Sequence, residues 1–480
     1  MSTIFIDNQW VESNNDQTIT LLNPSDGTVL RELDRGDQQD INKAVKSAKH
    51  AYQTVWSKVS PADRGRLLYK LAQKLSDHKE ELAALESADC GKPLWQAQAD
   101  AVSIARYFEF YAGACDKFHG ETIPFAADFA VLTWREPHGV TAHIVPWNYP
   151  MQIFGRCVAA ALAAGNTCVV KPAEDACLSL LRVAELAHEV GFPAGVLNMV
   201  TGYGHEAGDA LVKHPDVNHI SFTGSPAVGT LVTQAAAENH TPVTLELGGK
   251  SPQIVFADAN LDDVIKTVVR VIVQNAGQTC SAGTRLLVER SVYEQVVTRV
   301  ADALSQIRVG PADQNLDCGP VIRKTQLDRV RAYVKMAHDD GLILAGKGVI
   351  SQDASENGFF IEPMLFRDVP ADHKLAQEEI FGPILIAMPF DSENEAIDLA
   401  NSTEYGLVAC VWTRDGGRQL RLARRLEVGQ VYINNYGAGG GVELPFGGVK
   451  SSGHGREKGF EALYGFTALK TVAIKYDTES

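Results

Sequence analysis

The stretch His219-Ile220-Ser221-Phe222-Thr223 runs directly into Gly224-Ser225-Pro226-Ala227-Val228-Gly229, so that an apolar strand leads through a glycine turn into a helix. The same alternation recurs through the first half of the chain, with strands predicted at Val140–Val145, Cys168–Lys171 and Val196–Val200. Strands that alternate with helices predict a parallel, doubly wound sheet. The alternation restarts after about residue 250, so we predict an α/β protein with two doubly wound domains.

Apolar residues at helical spacing predict two amphipathic helices early in the chain, over residues 39–57 and 61–88. The remaining predicted helices cover residues 151–164, 177–190, 205–213, 261–275 and 291–306. In the second half, strands are predicted at Ile254–Phe256 and Leu286–Val288.

Length and charge exclude several classes of protein. A chain of 480 residues is too long for one typical core. The net charge of -15 argues against non-specific nucleic-acid binding, which needs Lys and Arg against phosphates. No apolar run is long enough to span a bilayer and the amino terminus lacks a signal-peptide pattern, so we expect a cytoplasmic protein without a membrane partner.

The eight cysteines form no C-x-x-C pair, and the chain has no H-E-x-x-H motif, so we predict neither a disulfide framework nor a metal site.

Cys280 is the strongest candidate nucleophile. It lies among small residues in Gly277-Gln278-Thr279-Cys280-Ser281-Ala282, and Glu246 precedes it in Glu246-Leu247-Gly248-Gly249-Lys250. An accessible thiol with a carboxylate as its base, or as the base for a water, fits covalent catalysis on a carbonyl carbon. Most cysteines are inert core residues, so this prediction depends on the motifs around it.

An amide between two prolines follows the predicted strand Val140–Val145, in Pro146-Trp147-Asn148-Tyr149-Pro150. The Asn148 side chain can donate an N–H to a developing oxyanion, and one such donor contributes roughly 3–4 kcal/mol to lowering a barrier. A rigid turn is the alternative, because Asn is common in turns.

Two segments suggest a dinucleotide. Gly224 and Ser225 stand where backbone N–H groups at a helix start can meet a pyrophosphate. The segment Lys171-Pro172-Ala173-Glu174 ends a strand. The Glu174 carboxylate can accept hydrogen bonds from both ribose hydroxyls. It would also repel a 2′-phosphate, which favours NAD over NADP. Taken alone, each segment is more often a turn or a solvated ion pair.

Together these segments resemble the aldehyde dehydrogenase superfamily, and the resemblance covers essentially the whole chain. The motifs that carry it, in the order of that superfamily, are Pro146-Trp147-Asn148, Lys171-Pro172-Ala173-Glu174, Phe222-Thr223-Gly224-Ser225, Glu246-Leu247-Gly248-Gly249-Lys250, Gly277-Gln278-Thr279-Cys280, Glu378-Glu379-Ile380-Phe381-Gly382-Pro383 and Pro445-Phe446-Gly447-Gly448.

The resemblance implies a role for each residue. Cys280 would be the nucleophile, Asn148 would hold the oxyanion with the backbone N–H of Cys280, and Glu246 would activate water. The residues implied to bind NAD are Lys171, Glu174, Gly224, Ser225, Trp147, Glu379 and Phe381.

The resemblance also implies how the chain is divided. Residues 1–120 and 138–247 would form the NAD-binding domain, and 248–446 the catalytic domain. Residues 121–137 and 447–480 would form an oligomerisation β-arm and carboxy-terminal tail, which predicts a homodimer or a homotetramer.

The aldehyde is less defined. By resemblance Arg156 faces the substrate tunnel, where it would suit a carboxylate or sulfonate; the alternative is a structural Arg paired with an acid. Arg also occurs there in enzymes for hydroxybenzaldehydes. The three successive glycines, Gly439-Gly440-Gly441, in the loop 434–443 favour a bulky or long substrate. Parts of the sequence resemble the betaine-aldehyde and aromatic-aldehyde branches. The other residues predicted to line the tunnel are Tyr149, Ile153, Thr279, Ser281 and Phe446.

Two alternatives to hydrolytic aldehyde oxidation stay open at this point. One is a CoA-acylating dehydrogenase, against which Glu246 argues because such enzymes often lack this base. The other is a non-catalytic relative, which intact Cys280, Glu246 and Asn148 disfavour.

Overall fold

The computed structural model describes residues 2–437 and 440–478. The strands in this part of the chain are β1 (Ile4–Ile6), β2 (Gln9–Val11), β3 (Thr18–Leu22), β4 (Val29–Asp34), β5 (Thr122–Ile123), β6 (Phe129–Pro137), β7 (Val140–Val145), β8 (Thr167–Pro172), β9 (Leu197–Met199), β10 (His219–Thr223), β11 (Val243–Glu246), β12 (Pro252–Val255), β13 (Arg285–Glu289), β14 (Arg308–Val309), β15 (Ile343–Lys347), β16 (Val349–Ile350), β17 (Met364–Arg367), β18 (Ile384–Phe390), β19 (Tyr405–Gly406), β20 (Val408–Trp412), β21 (Gln430–Ile433), β22 (Val449–Lys450), β23 (Gly453–His454) and β24 (Thr467–Lys475).

The α-helices in the same residues are α1 (Gln38–Thr54), α2 (Pro61–Asp77), α3 (Lys79–Cys90), α4 (Leu94–Ala114), α5 (Pro150–Ala164), α6 (Leu178–Glu189), α7 (Asp209–Val212), α8 (Pro226–Glu238), α9 (Leu261–Val273), α10 (Arg290–Ser305), α11 (Lys324–Asp339), α12 (Lys374–Gln377), α13 (Glu393–Asn401), α14 (Gly416–Arg425) and α15 (Glu461–Gly465).

Two large sheets organise the chain, which confirms the predicted fold class. The first has the strand order β2-β1-β9-β8-β7-β10-β11-β23, and its five strands from β9 to β11 are parallel. The second has the order β15-β17-β18-β13-β12-β20-β21 and is parallel from β17 to β21. Parallel strands of this kind are covered by helices on both faces.

Strand β8 illustrates the doubly wound arrangement. Cys168 and Val170 belong to one hydrophobic cluster and Val169 to another, and all three are fully buried. Because side chains alternate across a strand, the two clusters lie on opposite faces of the sheet. The segments that carry several predicted site residues lie at the carboxyl ends of buried strands of this sheet.

Several predicted helix boundaries are wrong. The single helix predicted over 61–88 is two helices, because His78 leaves the helical conformation at φ -104° and ψ 16°. The helix predicted over 39–57 ends at Thr54 and is followed by a short 3-10 turn. The segment predicted as a helix over 205–213 is one π-helical turn followed by the four residues of α7. Helix α4, at 21 residues, was not predicted.

A small antiparallel sheet of β5, β6 and β24 joins the residues predicted to form the arm. Strand β24 pairs with β6 over nine residues, from Thr467 opposite Pro137 to Lys475 opposite Phe129. In the segment of the chain that precedes β24, β23 pairs with β11 of the first sheet, and α15 packs on α5. The domain boundaries drawn from the sequence stay a prediction.

Within the described residues, no helix combines the length and the apolar character that crossing a membrane requires.

Candidate active site

The turn after β7 places Asn148 at the carboxyl edge of the first sheet. Helix α5 starts at Pro150, a residue suited to a first helical turn because it lacks the backbone N–H that would be unpaired there. Asn148 is buried, and its side-chain amide donates to the backbone carbonyl of Gln278 at 3.0 Å. The predicted oxyanion donor thus reaches across to the segment that carries Cys280.

Cys280 follows a strained turn at the end of α9. Asn275 and Ala276 adopt left-handed conformations, with φ of 48° and 53°. For Ala this conformation is unfavourable and persists only where the surrounding structure enforces it. Of the eight cysteines, all of which lie in the described residues, seven are buried and Cys280 is partly exposed. Desolvation raises the pKa of its thiol to about 12, and the positive charge of Arg156 opposes that rise.

A pocket of about 340 Å³ opens over Cys280. The residues predicted from sequence that line it are Asn148, Tyr149, Ile153, Arg156, Thr279, Cys280, Ser281 and Phe446. Gly437 and Gly440 of the glycine loop also line it. Ala438 and Gly439, which belong to the loop from which a bulky or long substrate is predicted, lie outside the described residues.

Glu246 ends β11 and is almost completely buried. Neither of its carboxylate oxygens has a hydrogen-bond partner among the described residues. Burial, and secondly the nearby charge of Glu457, raise the pKa of Glu246 well above its ordinary value. Gly447, at φ 154°, leaves space beside it, since a Cβ there would stand 2.9 Å from Glu246 Oε1. A carboxylate so placed is suited to take a proton.

Arg156 is buried in the wall of the pocket. Its Nε forms an ion pair with Glu457, which also accepts a hydrogen bond from Ser221 at 3.0 Å. Its guanidinium carbon lies 4.8 Å from the ring centre of Phe446. The arginine is therefore paired with an acid while it lines the substrate pocket, and the prediction that it receives a substrate anion stays a prediction.

The predicted ribose pair lies at the end of β8. Lys171 Nζ and Glu174 Oε2 are 2.8 Å apart. On the neighbouring side of the same edge, Gly224 separates β10 from α8, and the Ser225 hydroxyl caps that helix by accepting from the N–H of Val228 at 3.4 Å. These residues place a carboxylate, the ammonium group paired with it and a helix start capped by Ser225 along one sheet edge.

Glu379, Phe381 and Trp147 lie at the boundary between the two large sheets. Glu379 accepts a hydrogen bond from the backbone N–H of Gly249 at 3.0 Å, and burial raises its pKa to about 7. Phe381 has a left-handed backbone, φ 60°, and its ring meets the Trp147 ring edge-on at 5.3 Å. The structure thus brings together residues that are far apart in the sequence.

Two tyrosines connect the pocket wall to the residues flanking the nucleophile. Tyr149 Oη and Thr279 Oγ1 are 2.8 Å apart. Tyr436 donates a hydrogen bond to the carbonyl of Ser281. The two neighbours of Cys280 are therefore each fixed by a phenol.

Several residues of this site belong to no motif that is recognisable in the sequence. Glu457, the partner of Arg156, follows a Gly-Arg dipeptide that carries no motif by itself. Arg270 lines the pocket from α9, and it was not singled out because a basic residue on an amphipathic helix is usually a solvated one. Lys92, Gln96 and Asp100 surround the start of α4, the helix that was not predicted. Only the last two line the pocket.

Comparison with known proteins gives a consistent result. The model of the aldehyde dehydrogenase family matches residues 10–472. The chain is 42% identical to a hydroxyisobutyraldehyde dehydrogenase of Mycolicibacterium austroafricanum over 475 residues, which are 99% of this chain and 94% of the relative.

Solved structures agree. One similar crystal structure is of a protein from Burkholderia cenocepacia described as an aldehyde dehydrogenase. It is 64% identical in sequence, with a TM-score of 0.98, and the match covers 99% of this chain and 100% of that one. An NAD+ complex of an aldehyde dehydrogenase from Bacillus cereus is 40% identical, with a TM-score of 0.96 and coverage of 99% and 96%. The chain belongs to the aldehyde dehydrogenase family.

Proposed function

We propose that this chain oxidises an aldehyde to its carboxylic acid with NAD+ as hydride acceptor, through a covalent bond to Cys280. The observation that carries the proposal is the pocket itself, where a partly exposed thiol lies beside the amide of Asn148. Glu246, a buried carboxylate whose pKa is raised, supplies a base next to that pocket.

The first step forms a carbon–sulfur bond. The thiol loses its proton to Glu246, directly or through a water, and the sulfur adds to the carbonyl carbon of the aldehyde. The carbonyl oxygen becomes an oxyanion, which Asn148 Nδ2 and the backbone N–H of Cys280 stabilise as hydrogen-bond donors. The product of this step is a tetrahedral thiohemiacetal.

The second step releases a hydride from that carbon, and NAD+, when bound, supplies the acceptor. Loss of the hydride turns the thiohemiacetal into a thioester on Cys280. Glu246 gives the proton that it took from the thiol to solvent and is ionised again. Water then attacks the thioester carbon while Glu246 takes a proton from it, the carbon–sulfur bond breaks, the leaving sulfur regains a proton from Glu246, and the carboxylic acid leaves. Each proton and electron pair has a named destination on this chain, in solvent, in the product or on the cofactor.

The residues at the sheet edge fit a dinucleotide. Lys171 and Glu174 would hold the adenosine ribose, while Gly224 and Ser225 at the start of α8 would meet the pyrophosphate. Glu379, whose carboxylate is held by the Gly249 N–H, would accept the hydroxyls of the nicotinamide ribose. Beside it, Phe381 and Trp147 form an aromatic corner.

We favour NAD over NADP because Glu174 would repel a 2′-phosphate. The Bacillus cereus relative was solved as an NAD+ complex, which supports the same choice.

The charges of the pocket favour an aldehyde with an anionic or neutral far end, of bulky, aromatic or semialdehyde type. Arg156 and Arg270 both line it. Arg270 donates to the carbonyl of Tyr436 and has no acidic partner among the described residues, whereas Asp100, also in the lining, is bound to Lys92. A betaine- or amino-aldehyde is the second candidate, because the aromatic rings of Tyr149 and Tyr436 could face a cation.

A matched pair of substrates separates these two candidates. An aldehyde with a terminal carboxylate and one of similar length with a trimethylammonium group would be compared by kcat/KM in the wild type and in Arg156→Ala and Arg270→Gln. We expect the carboxylate to be preferred, and each variant to raise its KM more than that of the cationic aldehyde. A preference for the cation that both variants preserve would establish the betaine-aldehyde alternative.

The small sheet of β5, β6 and β24 supports a proposal for the oligomeric state. Strands β6 and β24 present large apolar side chains to solvent, with Trp134 at 50% and Leu469 at 55% exposure. We propose that this sheet pairs with that of a second copy, in a homodimer or homotetramer located in the cytoplasm. Sedimentation of wild type and Leu469→Lys would test it, since the charge should shift the protein towards a smaller assembly.

The activity itself is tested by NADH formation from a panel of aldehydes, with analysis of the products. Free acid is the expected product. Formation of an acyl-CoA, when CoA is supplied, would support the acylating alternative, and absence of NADH from every aldehyde would support a non-catalytic relative.

A further inference from the structure

A buried ammonium group lies behind the oxyanion turn and has no part in the chemistry described so far. Lys92 is 1% exposed, and its Nζ lies 2.7 Å from Glu86 Oε1 and 2.6 Å from Asp100 Oδ2. Both carboxylates are also buried. Placing three ionisable groups inside the protein is costly unless each finds partners, and here the ammonium group lies between two carboxylates.

What the cluster holds is the backbone of Asn148. Lys92 Nζ donates to the Asn148 carbonyl at 3.1 Å, and the side-chain amide of Asn275 donates to the same oxygen at 2.8 Å. Glu86 Oε2 meanwhile accepts from the N–H of Met151 at 3.0 Å, at the start of α5. The turn that carries the predicted oxyanion donor is thus fixed on both sides of Asn148.

The same helix face reaches the nucleophile segment. Gln96 Oε1 accepts from the backbone N–H of Asn275 at 2.8 Å, and Asn275 is one of the two left-handed residues that precede Cys280. Gln96 and Asp100 are four residues apart on α4, so they lie along one face of its start, and Lys92 lies two residues before the helix. The segment that leads into α4 therefore holds the oxyanion turn through Lys92, and the first turn of α4 holds the nucleophile turn through Gln96.

We propose that Lys92 and Gln96 are positioning residues, which set the separation between the Asn148 amide and Cys280 to that required by the tetrahedral intermediate. This inference depends on the proposed function, because it assigns a purpose to the oxyanion site. Geometry at such a site matters, since an error of about 1 Å can cost on the order of a hundredfold in rate.

A double-mutant cycle tests the proposal. Gln96→Leu and Lys92→Met would each be made in the wild type and in Asn148→Ala, with kcat and KM measured for a good aldehyde substrate and for NAD+. In the wild type we expect kcat to fall about 10- to 100-fold with little change in KM for NAD+. In Asn148→Ala, where the donor is already absent, the same changes should lower kcat less than about threefold.

The matched control is Gln98→Leu, at a half-buried position of α4 whose side-chain amide donates a hydrogen bond to Glu80. It should keep wild-type kinetics. Thermal unfolding of every variant would show which are folded, and if Lys92→Met is not, Gln96→Leu decides the question because it removes no charge.

Equal losses of kcat in both backgrounds would overturn the proposal and make the cluster a stabilising element only. Wild-type kcat in Gln96→Leu would overturn it as well. Failure of the wild type to oxidise any aldehyde would instead contradict the proposed function, so the two failures are distinguishable.

Discussion

The two sides of the pocket are built differently. On the side of Asn148 and Cys280, amides, a carbonyl and a buried lysine are tied by hydrogen bonds of 2.8 to 3.1 Å. On the side of Glu246, the carboxylate is equally buried, yet it has no hydrogen-bond partner in the described residues and a glycine beside it.

The difference follows from what each side does in the proposed reaction. Stabilising an oxyanion needs donors that are fixed before charge develops. A base that serves first a thiol and then a water needs access to two positions, and a carboxylate held by several hydrogen bonds would have too low a pKa to take protons. The proposed mechanism therefore needs both a fixed Asn148 amide and a Glu246 carboxylate that is not held by hydrogen bonds.

Removal of the sulfur should have the largest effect. Cys280→Ala is expected to lower NADH formation by at least about 10⁴-fold, since no covalent intermediate can form. Cys115→Ala, which changes a buried thiol at the end of α4, is the matched control and should keep near-normal turnover. Comparable turnover in the two variants would mean that the reaction does not use Cys280.

The next largest effect is expected from removal of the base, Glu246, on the side of the pocket without hydrogen bonds to the carboxylate. Glu246→Gln keeps the shape but removes the base, and steady-state turnover should fall about 10²- to 10⁴-fold. Rapid-mixing measurements of NADH at high pH, where the thiol ionises without a base, should still show a first turnover. A variant that turns over normally would show that another group activates the water.

The fixed side is tested by Asn148→Ala. Loss of one oxyanion donor should lower kcat about 10²- to 10³-fold with little change in KM for NAD+. Asn148→Asp, which is nearly isosteric, should be at least as impaired, because a carboxylate would repel the oxyanion. Activity in the aspartate variant near that of the wild type would contradict the assigned role.

A smaller effect, on stability rather than rate, is expected at the ion pair beneath the base. Arg156→Met leaves Glu457 buried without its partner, which should destabilise the fold by about 3–5 kcal/mol in urea unfolding. The double variant with Glu457→Gln should recover most of that loss. If the double variant is no more stable than Arg156→Met, loss of the ion pair with Glu457 is not the cause of the destabilisation.

The smallest effect concerns pH. Because burial raises the pKa of Glu379 to about 7, this carboxyl is increasingly protonated below pH 7 and ionised above it. The ionised form is the one proposed to accept ribose hydroxyls, so KM for NAD+ should rise as pH falls through 7, by up to about tenfold per unit. Glu379→Gln should flatten this dependence, and a profile unchanged by that substitution would exclude the carboxyl as its origin.

Local patterns predicted the alternation of strands and helices, and motif order predicted the residues around Cys280. The helix boundaries that failed are those decided by single backbone conformations, such as the break at His78. No local sequence pattern predicts such a break within a continuous stretch of residues at amphipathic-helix spacing.

The missed site residues share another cause. Lys92 is recognisable only once Glu86 and Asp100 close around it, and Glu457 only once Arg156 meets it. Ion pairs between segments distant in sequence depend on packing, which one sequence does not display. Helix α4 was missed for a related reason, since its buried side is covered by several neighbours and its polar stripe is short.

The covalent step is tested most directly by mass. Glu246→Gln, mixed at high pH with NAD+ and an aldehyde that the wild type oxidises, would be quenched in acid and digested for peptide mass analysis. We expect the peptide containing position 280 to gain the mass of the acyl group, while peptides with the other seven cysteines do not. NADH formed without any acyl adduct, or with the adduct on another residue, would contradict the covalent step.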